Sequence, residues 1–323
     1  MKTMIQFVVR RGSLSVLTVA LLAAFVMFSR PSAQGPAPAA AVIRNDIAGD
    51  WLSTNNEDIP HRNPGPELGD YTGLPVNAAE RQKADSWDAS ILSQPERQAQ
   101  SHPAQYFMRG PRPDLRVLKI LDPVTQTLVA YAMAGVYGRA DRVIWMDGRP
   151  HPSDYSEHTW DGFATGVWEN GQLVVTTTHM KQGVYQRNGV AASQYAKMVE
   201  HYFRHGLYLS SFFTVDDPIF LEEPLARTQT WTWDPNATIE FGNPFMPVDE
   251  LGDRPLGWVP HWPLGTRPTE FGEMHSIPYE ATRGGMETTY PEYQLKLAEL
   301  MKRDEAAKDA AARKEAGKPA AKK

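Results

Sequence analysis

From Leu115 to Trp233 apolar and polar residues alternate in short runs broken by turn residues. The runs are Leu115–Leu121, Leu128–Met133, Val143–Met146, Phe163–Trp168, Leu173–His179, Met198–Phe203, Leu207–Val215 and Ala226–Trp233. Asp122-Pro123, Asp147-Gly148, Asn170-Gly171, His205-Gly206 and Asp217-Pro218 stand between many of them. A period of two with one apolar face is the mark of a half-buried strand. Many such strands joined by tight turns predict a mainly all-β fold, an antiparallel β-barrel or barrel-like sandwich with long loops. Ala78 to Ala89 reads as a short helix and Pro291 to Ala307 as a C-terminal one. The expected organisation is a barrel-like domain at 45–240, a loop-rich wrapping segment at 241–300 and a charged tail at 301–323, flexible or helical. No internal repeat is found.

Tyr195, Met198, Val199, Tyr202 and Phe203 also fit a helical stripe, with Ser193 as an N-cap. The strand reading is preferred, because the alternating run that follows His205-Gly206 needs an antiparallel partner. It also separates His201 and His205 by about 13 Å, too far for one metal ion.

Asn170-Gly171 fixes a hairpin register, since both residues of a type I′ turn take positive φ. The expected pairs on one face are Trp168 with Leu173, Gly166 with Val175, Ala164 with Thr177 and Gly162 with His179. The other face carries Val167 with Val174, Thr165 with Thr176 and Phe163 with Thr178. Gly166, Ala164 and Gly162 leave little side chain opposite His179. That predicts either a space for a ligand beside His179 or close packing by a side chain from elsewhere.

The loop His151 to Asp161 enters this hairpin directly, which groups its residues with His179. A histidine beside a carboxylate can act as acid or base, because the carboxylate fixes the tautomer and supports the imidazolium. The expected catalytic residues are His158, His179, Glu157 and Asp154. The expected ligand-binding residues are Trp160, Trp168, Tyr155 and His151. His151, His158 and His179 are also the ligands for an alternative metal-dependent hydrolase. No cofactor is predicted, with a divalent metal as the variant. Asp216-Asp217-Pro218 is read as a turn, and Glu222-Glu223 as a solvated face. His61, His102, His261 and His275 fall in Pro-rich loops.

Composition narrows the compartment and the chemistry. The 323 residues hold nine Trp, 24 Gly, 26 Pro and no cysteine, which excludes disulfides, thiolate metal sites and a Cys nucleophile. Lys2, Arg10 and Arg11 precede the apolar stretch Leu14–Phe28, followed by Pro31-Ser32-Ala33. That is the plan of an export signal over residues 1–33 with a linker at 34–44, and the stretch is short for a membrane span of about 20 residues. A periplasmic or secreted protein is expected, with an uncleaved anchor as the alternative. The signal and the tail are rich in Lys and Arg while the whole chain has 33 Lys/Arg against 38 Asp/Glu, so the body between them is acidic. An acidic body argues against a nucleic-acid partner, and the basic tail allows a weak envelope contact.

There is no G-x-S-x-G elbow, Walker A lysine, G-x-G-x-x-G or H-E-x-x-H. The order of Gly49-Asp50-Trp51, GDYTGLPVNAAERQKADSWD at Gly69–Asp88, MDGRPHP at Met146–Pro152, TWDGFATGVWENGQLVVTTT at Thr159–Thr178 and VDDPIFLEEP at Val215–Pro224 resembles a group of secreted bacterial proteins. The resemblance implies one β-rich domain and export, and carries over no catalytic residue. The G-x-W at Gly49–Trp51 is also similar to lipocalin-type barrels. Together these lead to the expectation of an exported barrel that binds a small, partly apolar molecule, with His/carboxylate acid–base chemistry such as hydration, dehydration or isomerisation. The alternatives are the metal-dependent hydrolase and a non-catalytic envelope interaction protein. No feature fixes an oligomeric state.

Overall fold

The computed structural model describes residues 46–54, 66–94, 97, 100, 103–109, 114–135, 142–239, 253, 255, 258, 261, 263–266 and 269–316. The export signal, the linker, His61 and His102 lie outside the described residues.

Nine strands close into a barrel. They are β1 (Gly49–Ser53), β2 (Leu115–Leu121), β3 (Leu128–Gly135), β4 (Arg142–Trp145), β5 (Phe163–Glu169), β6 (Gln172–Thr178), β9 (Lys197–His205), β10 (Tyr208–Asp216) and β11 (Leu225–Trp233), with β7 (Gly183–Val184) and β8 (Ala191–Ala192) forming a separate two-stranded sheet. The order around the wall is β1-β11-β10-β9-β6-β5-β4-β3-β2, with β2 returning to β1. The strand reading of 195–203 therefore holds: β9 pairs with both β6 and β10.

All neighbours in the described wall are antiparallel except one. β4 and β5 run parallel, paired only at Ile144↔Ala164 and Trp145↔Thr165. A parallel pair cannot be joined by a tight turn; its connection must travel back along the strands. Residues 146–162 are that connection, and the interior has no room for it.

The interior is filled with side chains. Trp51, Leu115, Val117, Ile144, Leu173, Val175, Met198, Tyr202, Leu209, Phe213 and Val215 are fully buried. Burying each large aliphatic or Phe side chain stabilises the fold by about 1.5–3 kcal/mol. One end is closed by aromatic packing. Trp51 donates from Nε1 to the Ile47 carbonyl at 2.9 Å, and the Arg204 guanidinium lies 4.9 Å from its ring and 5.9 Å from that of Trp233.

The other end is covered by residues 66–94, β7–β8 and the turn after β10. Helix α1 (Ala78–Ala84) is capped by Asn77, whose side chain accepts from the Glu80 amide. Asp217 organises the turn by accepting from the amides of Ser193 at 2.8 Å and Ile219 at 3.0 Å and from the Tyr185 hydroxyl at 3.0 Å. Glu222 and Glu223 lie on a solvated face, as expected, and also hold the C-terminal segment. Glu222 accepts from the Met286 amide, and Glu223 from the Thr289 and Tyr290 hydroxyls. His275, expected in a loop, ends the short helix α2 (Glu270–His275) and contacts Glu67 at 2.9 Å. Helix α3 (Tyr293–Ala316) continues through most of the expected tail and buries only Leu300.

Candidate functional site

The hairpin forms as its sequence demands. Asn170 and Gly171 take φ of 48° and 84°, and the pairs Trp168↔Leu173, Gly166↔Val175 and Ala164↔Thr177 are present. The fourth expected pair is absent. Pairing ends at Phe163↔Thr178, and His179 turns into the left-handed region at φ 58°. A non-glycine residue there costs about 1–2 kcal/mol. The reversal takes the imidazole out of the inner face to which strict alternation assigns it.

The expected space opposite His179 is occupied. A methyl group at Gly162 would fall 2.7 Å from Met180 Cγ and 2.9 Å from Thr177 Cγ2, and one at Gly166 would fall 2.7 Å from Met146 Sδ. The small residues admit methionine side chains into the core, which is the close-packing alternative.

The histidines do meet, on the outer wall. The returning connection lays His151 across β5 and β6, with Nδ1 2.8 Å from Thr178 Oγ1 and Nε2 2.9 Å from Thr165 Oγ1. His179 Nδ1 lies 2.8 Å from the same Thr178 hydroxyl, and its Nε2 2.9 Å from the Ser153 carbonyl. His158 Nδ1 lies 3.0 Å from the Met180 carbonyl, with its ring 5.2 Å from that of His179.

Chemistry fixes the direction of this chain. A carbonyl only accepts, so in neutral rings His179 carries its proton on Nε2 and offers Nδ1 as acceptor. Thr178 then donates to His179 and accepts from His151 Nδ1. That leaves His151 Nε2 to accept from the Thr165 hydroxyl. By the same logic His158 donates from Nδ1 and keeps a lone pair on Nε2. Burial, with His179 and Lys197 nearby, holds the His151 pKa below its ordinary value, which favours the neutral form of that ring.

The expected carboxylate partners are elsewhere. Asp154 and Glu157 are exposed and make no hydrogen bond to a histidine among the described residues. The supports of the rings are hydroxyls and carbonyls, which orient an imidazole without the charge that stabilises an imidazolium. The metal reading fails on the same geometry. No group of three or more His, Asp or Glu among the described residues is placed to hold a metal ion, and both nitrogens of His151 and His179 already face hydrogen-bond partners.

The four expected ligand contacts also separate. Tyr155 is 99% exposed. Trp160 lies outside the barrel, with Lys181 Nζ 5.3 Å from its ring. His151 is on the outer wall. Trp168 alone lies on the inner face, partly buried against the core at the turn end of the hairpin. Five residue pairs separate that level from Thr178, about 17 Å along the strands.

The interior carries a second polar group that the sequence reading passed over. Arg142 on β4 donates from Nη1 to Glu200 Oε1 at 2.9 Å and from Nη2 to Glu200 Oε2 and to Thr177 Oγ1. The Tyr202 hydroxyl donates to Glu200 Oε1 at 2.8 Å. Arg142 is 6% exposed and Glu200 0%. Burial opposes the Arg142 charge, but the charge and hydrogen bonds of Glu200 outweigh it and hold the guanidinium protonated. In this group Arg142 Nε and Ser211 Oγ are buried without a hydrogen-bond partner, as are Trp87 Nε1 and Gln105 Nε2 elsewhere among the described residues. Ser211 pairs across the wall with Tyr202 and with Gln229, so it faces the same interior. A signal for this group exists in the sequence. Glu200 stands between Met198 and Tyr202 on the apolar face of an alternating strand, where an acid requires a buried partner.

No family model, curated protein or solved structure matches this chain, so the resemblances rest on the quoted motifs alone. Among the described residues no helix is long and apolar enough to cross a membrane.

Proposed function

We propose that the protein is a barrel that takes a small, partly apolar molecule into its interior, anchored at the Arg142–Glu200 group rather than at the histidines. One observation carries this reading: Arg142 Nε and Ser211 Oγ are buried inside the barrel without a hydrogen-bond partner. Leaving a buried donor unpaired costs about 1–3 kcal/mol. A buried ion pair adds little stability over an apolar core of the same volume. A polar group kept at such cost among Tyr202, Phe213 and Trp231 fits an oxygen-bearing guest better than it fits a structural core.

Entry requires a side chain to move, since the interior is filled. Met146, whose thioether sits against Gly166, and the partly buried Trp168 have that freedom, methionine because it is unbranched and adaptable. Action outside the cytoplasm, drawn from Lys2–Ala33, belongs to the same proposal. Processing after residue 33 in cells, read by N-terminal sequencing, tests it.

The binding test uses 6-propionyl-2-(dimethylamino)naphthalene, an uncharged apolar fluorophore whose ketone oxygen can accept a hydrogen bond. Saturable one-to-one binding that Ser211→Val weakens supports the reading. Binding that never saturates, or that Ser211→Val leaves unchanged, contradicts it.

A second reading, acid–base chemistry on the outer wall, is favoured by the lone pair left on His158 Nε2. Diethyl pyrocarbonate should then modify His158 ahead of His151 and His179, whose nitrogens are engaged. Equal reactivity of all three would contradict it.

A further inference from the structure

The interior polar group also defines the kind of molecule it accepts, an inference that rests on the binding reading above. Three of the four terminal N–H groups of Arg142 have acceptors. Both of its terminal nitrogens bond to the two oxygens of Glu200, and one also reaches Thr177. The two charges of the pair cancel and both groups are buried, Arg142 6% and Glu200 0% exposed, while Asp161 lies near enough to add a negative field at Arg142. Left for a guest are the Nε–H and the second Nη1–H of Arg142 and the hydroxyl of Ser211, itself 1% exposed.

A guest carboxylate placed on Nε–H brings a second negative charge toward Glu200 with no further cation in the group to balance it. A guest ammonium faces the guanidinium. Either leaves an uncompensated charge in a low-dielectric interior, and such charges carry penalties of several kcal/mol. An uncharged oxygen acceptor completes the Nε–H bond without adding charge. Ser211 can donate to a guest oxygen or accept from a guest hydroxyl or amide N–H. The surrounding Leu173, Val175 and Phe213 take an apolar body.

We propose that the barrel selects uncharged, oxygen-bearing apolar molecules (alcohols, ketones or primary amides) and rejects the carboxylate and the amine of the same chain length. Fatty acids in their ionised form are thereby excluded even though an arginine lines the interior.

Calorimetric titration of the full chain with decan-1-ol, decan-2-one, decanamide, decanoate and decylamine at neutral pH tests this. The three uncharged molecules should bind at least about tenfold tighter than the two charged ones. Ser211→Ala, which leaves the Arg142–Glu200 pair intact, should weaken the uncharged ligands about fivefold. Glu200→Gln removes the opposing charge and should bring decanoate level with decanamide; its folding is checked by circular dichroism. If that variant does not fold, the wild-type series alone still decides. Tightest binding of decanoate or decylamine, or equal binding of all five, overturns the selectivity and leaves the binding reading standing. Binding of none overturns both, the buried donors then serving solvent alone.

Discussion

The barrel carries two polar groups separated by one wall, and they are built on opposite principles. Inside, Arg142 and Glu200 form a buried ion pair, and Arg142 Nε and Ser211 Oγ have no hydrogen-bond partner. Outside, the rings of His151, His158 and His179 are oriented by Thr178 and by the carbonyls of Ser153 and Met180. The outer group satisfies almost every atom and pins the 146–162 connection. The inner group leaves donors unsatisfied where water is excluded. A dense run of histidines and carboxylates is thus the better-explained structural feature, and the sparse buried pair is the one the binding proposal rests on.

The sharpest way to break this contrast is to unbalance the inner pair. Glu200→Ala leaves Arg142 charged and alone in the core, which should cost about 3–5 kcal/mol in urea unfolding. Replacing both partners by apolar residues, Arg142→Met with Glu200→Leu, should recover most of that loss while abolishing ligand binding. If the double variant is as unstable as the single one, the pair is structural. On the outer wall the largest effect should come from His179→Ala, which keeps the left-handed backbone and loses both ring contacts. About 1–2 kcal/mol is expected, with faster proteolysis between residues 147 and 161. Asn, which tolerates that backbone better, should lose less.

The pH responses should differ in sign as well. The His151 pKa is lowered in the folded chain, chiefly by burial. The unfolded chain therefore takes up the proton first, and stability present above about pH 6.5 is lost as pH falls toward the lower folded value. Glu80 beneath the lid behaves oppositely. Burial pushes its pKa up to about 8 from 4.5, helped by Asp217 and opposed by the Ala191 amide and Lys83. Its contribution is complete below pH 4.5 and is lost as pH rises through about 8. Thermal melts across this range should show Glu80→Gln gaining on wild type on the alkaline side and His151→Gln gaining on the acid side. A pH-independent difference for either variant would contradict the assigned environment. The smallest effects belong to the exposed expected residues. Tyr155→Ala and Asp154→Ala should change stability by less than about 0.5 kcal/mol and leave ligand binding unaltered.

Much of the barrel was legible because its strands alternate against a single filled core and its turns carry Asn-Gly, His-Gly and Asp-Pro. Eight runs read from the pattern correspond to β2, β3, β4, β5, β6, β9, β10 and β11. The parallel β4–β5 seam was not legible, because strand direction is set by which neighbours remain when the barrel closes. That one feature relocated the site. A strictly antiparallel hairpin puts His179 inside, whereas the parallel seam sends 146–162 over the outside and His179 turns out to meet it. The bend at His179 leaves no mark in the pattern, since Thr178-His179-Met180 reads as continued strand. Arg142 was missed for the opposite reason: one charged residue at a strand start looks like an ordinary boundary until Glu200 and Thr177 are brought to it from β9 and β6.

The central claim is that the ligand site lies inside the wall and the histidines lie outside it. Titrating decanamide into wild type, Ser211→Ala and His179→Asn under identical conditions tests it most directly. The account predicts weaker binding for Ser211→Ala by about fivefold and wild-type affinity for His179→Asn. Unchanged binding by Ser211→Ala with loss in His179→Asn would place the site on the outer wall and contradict it.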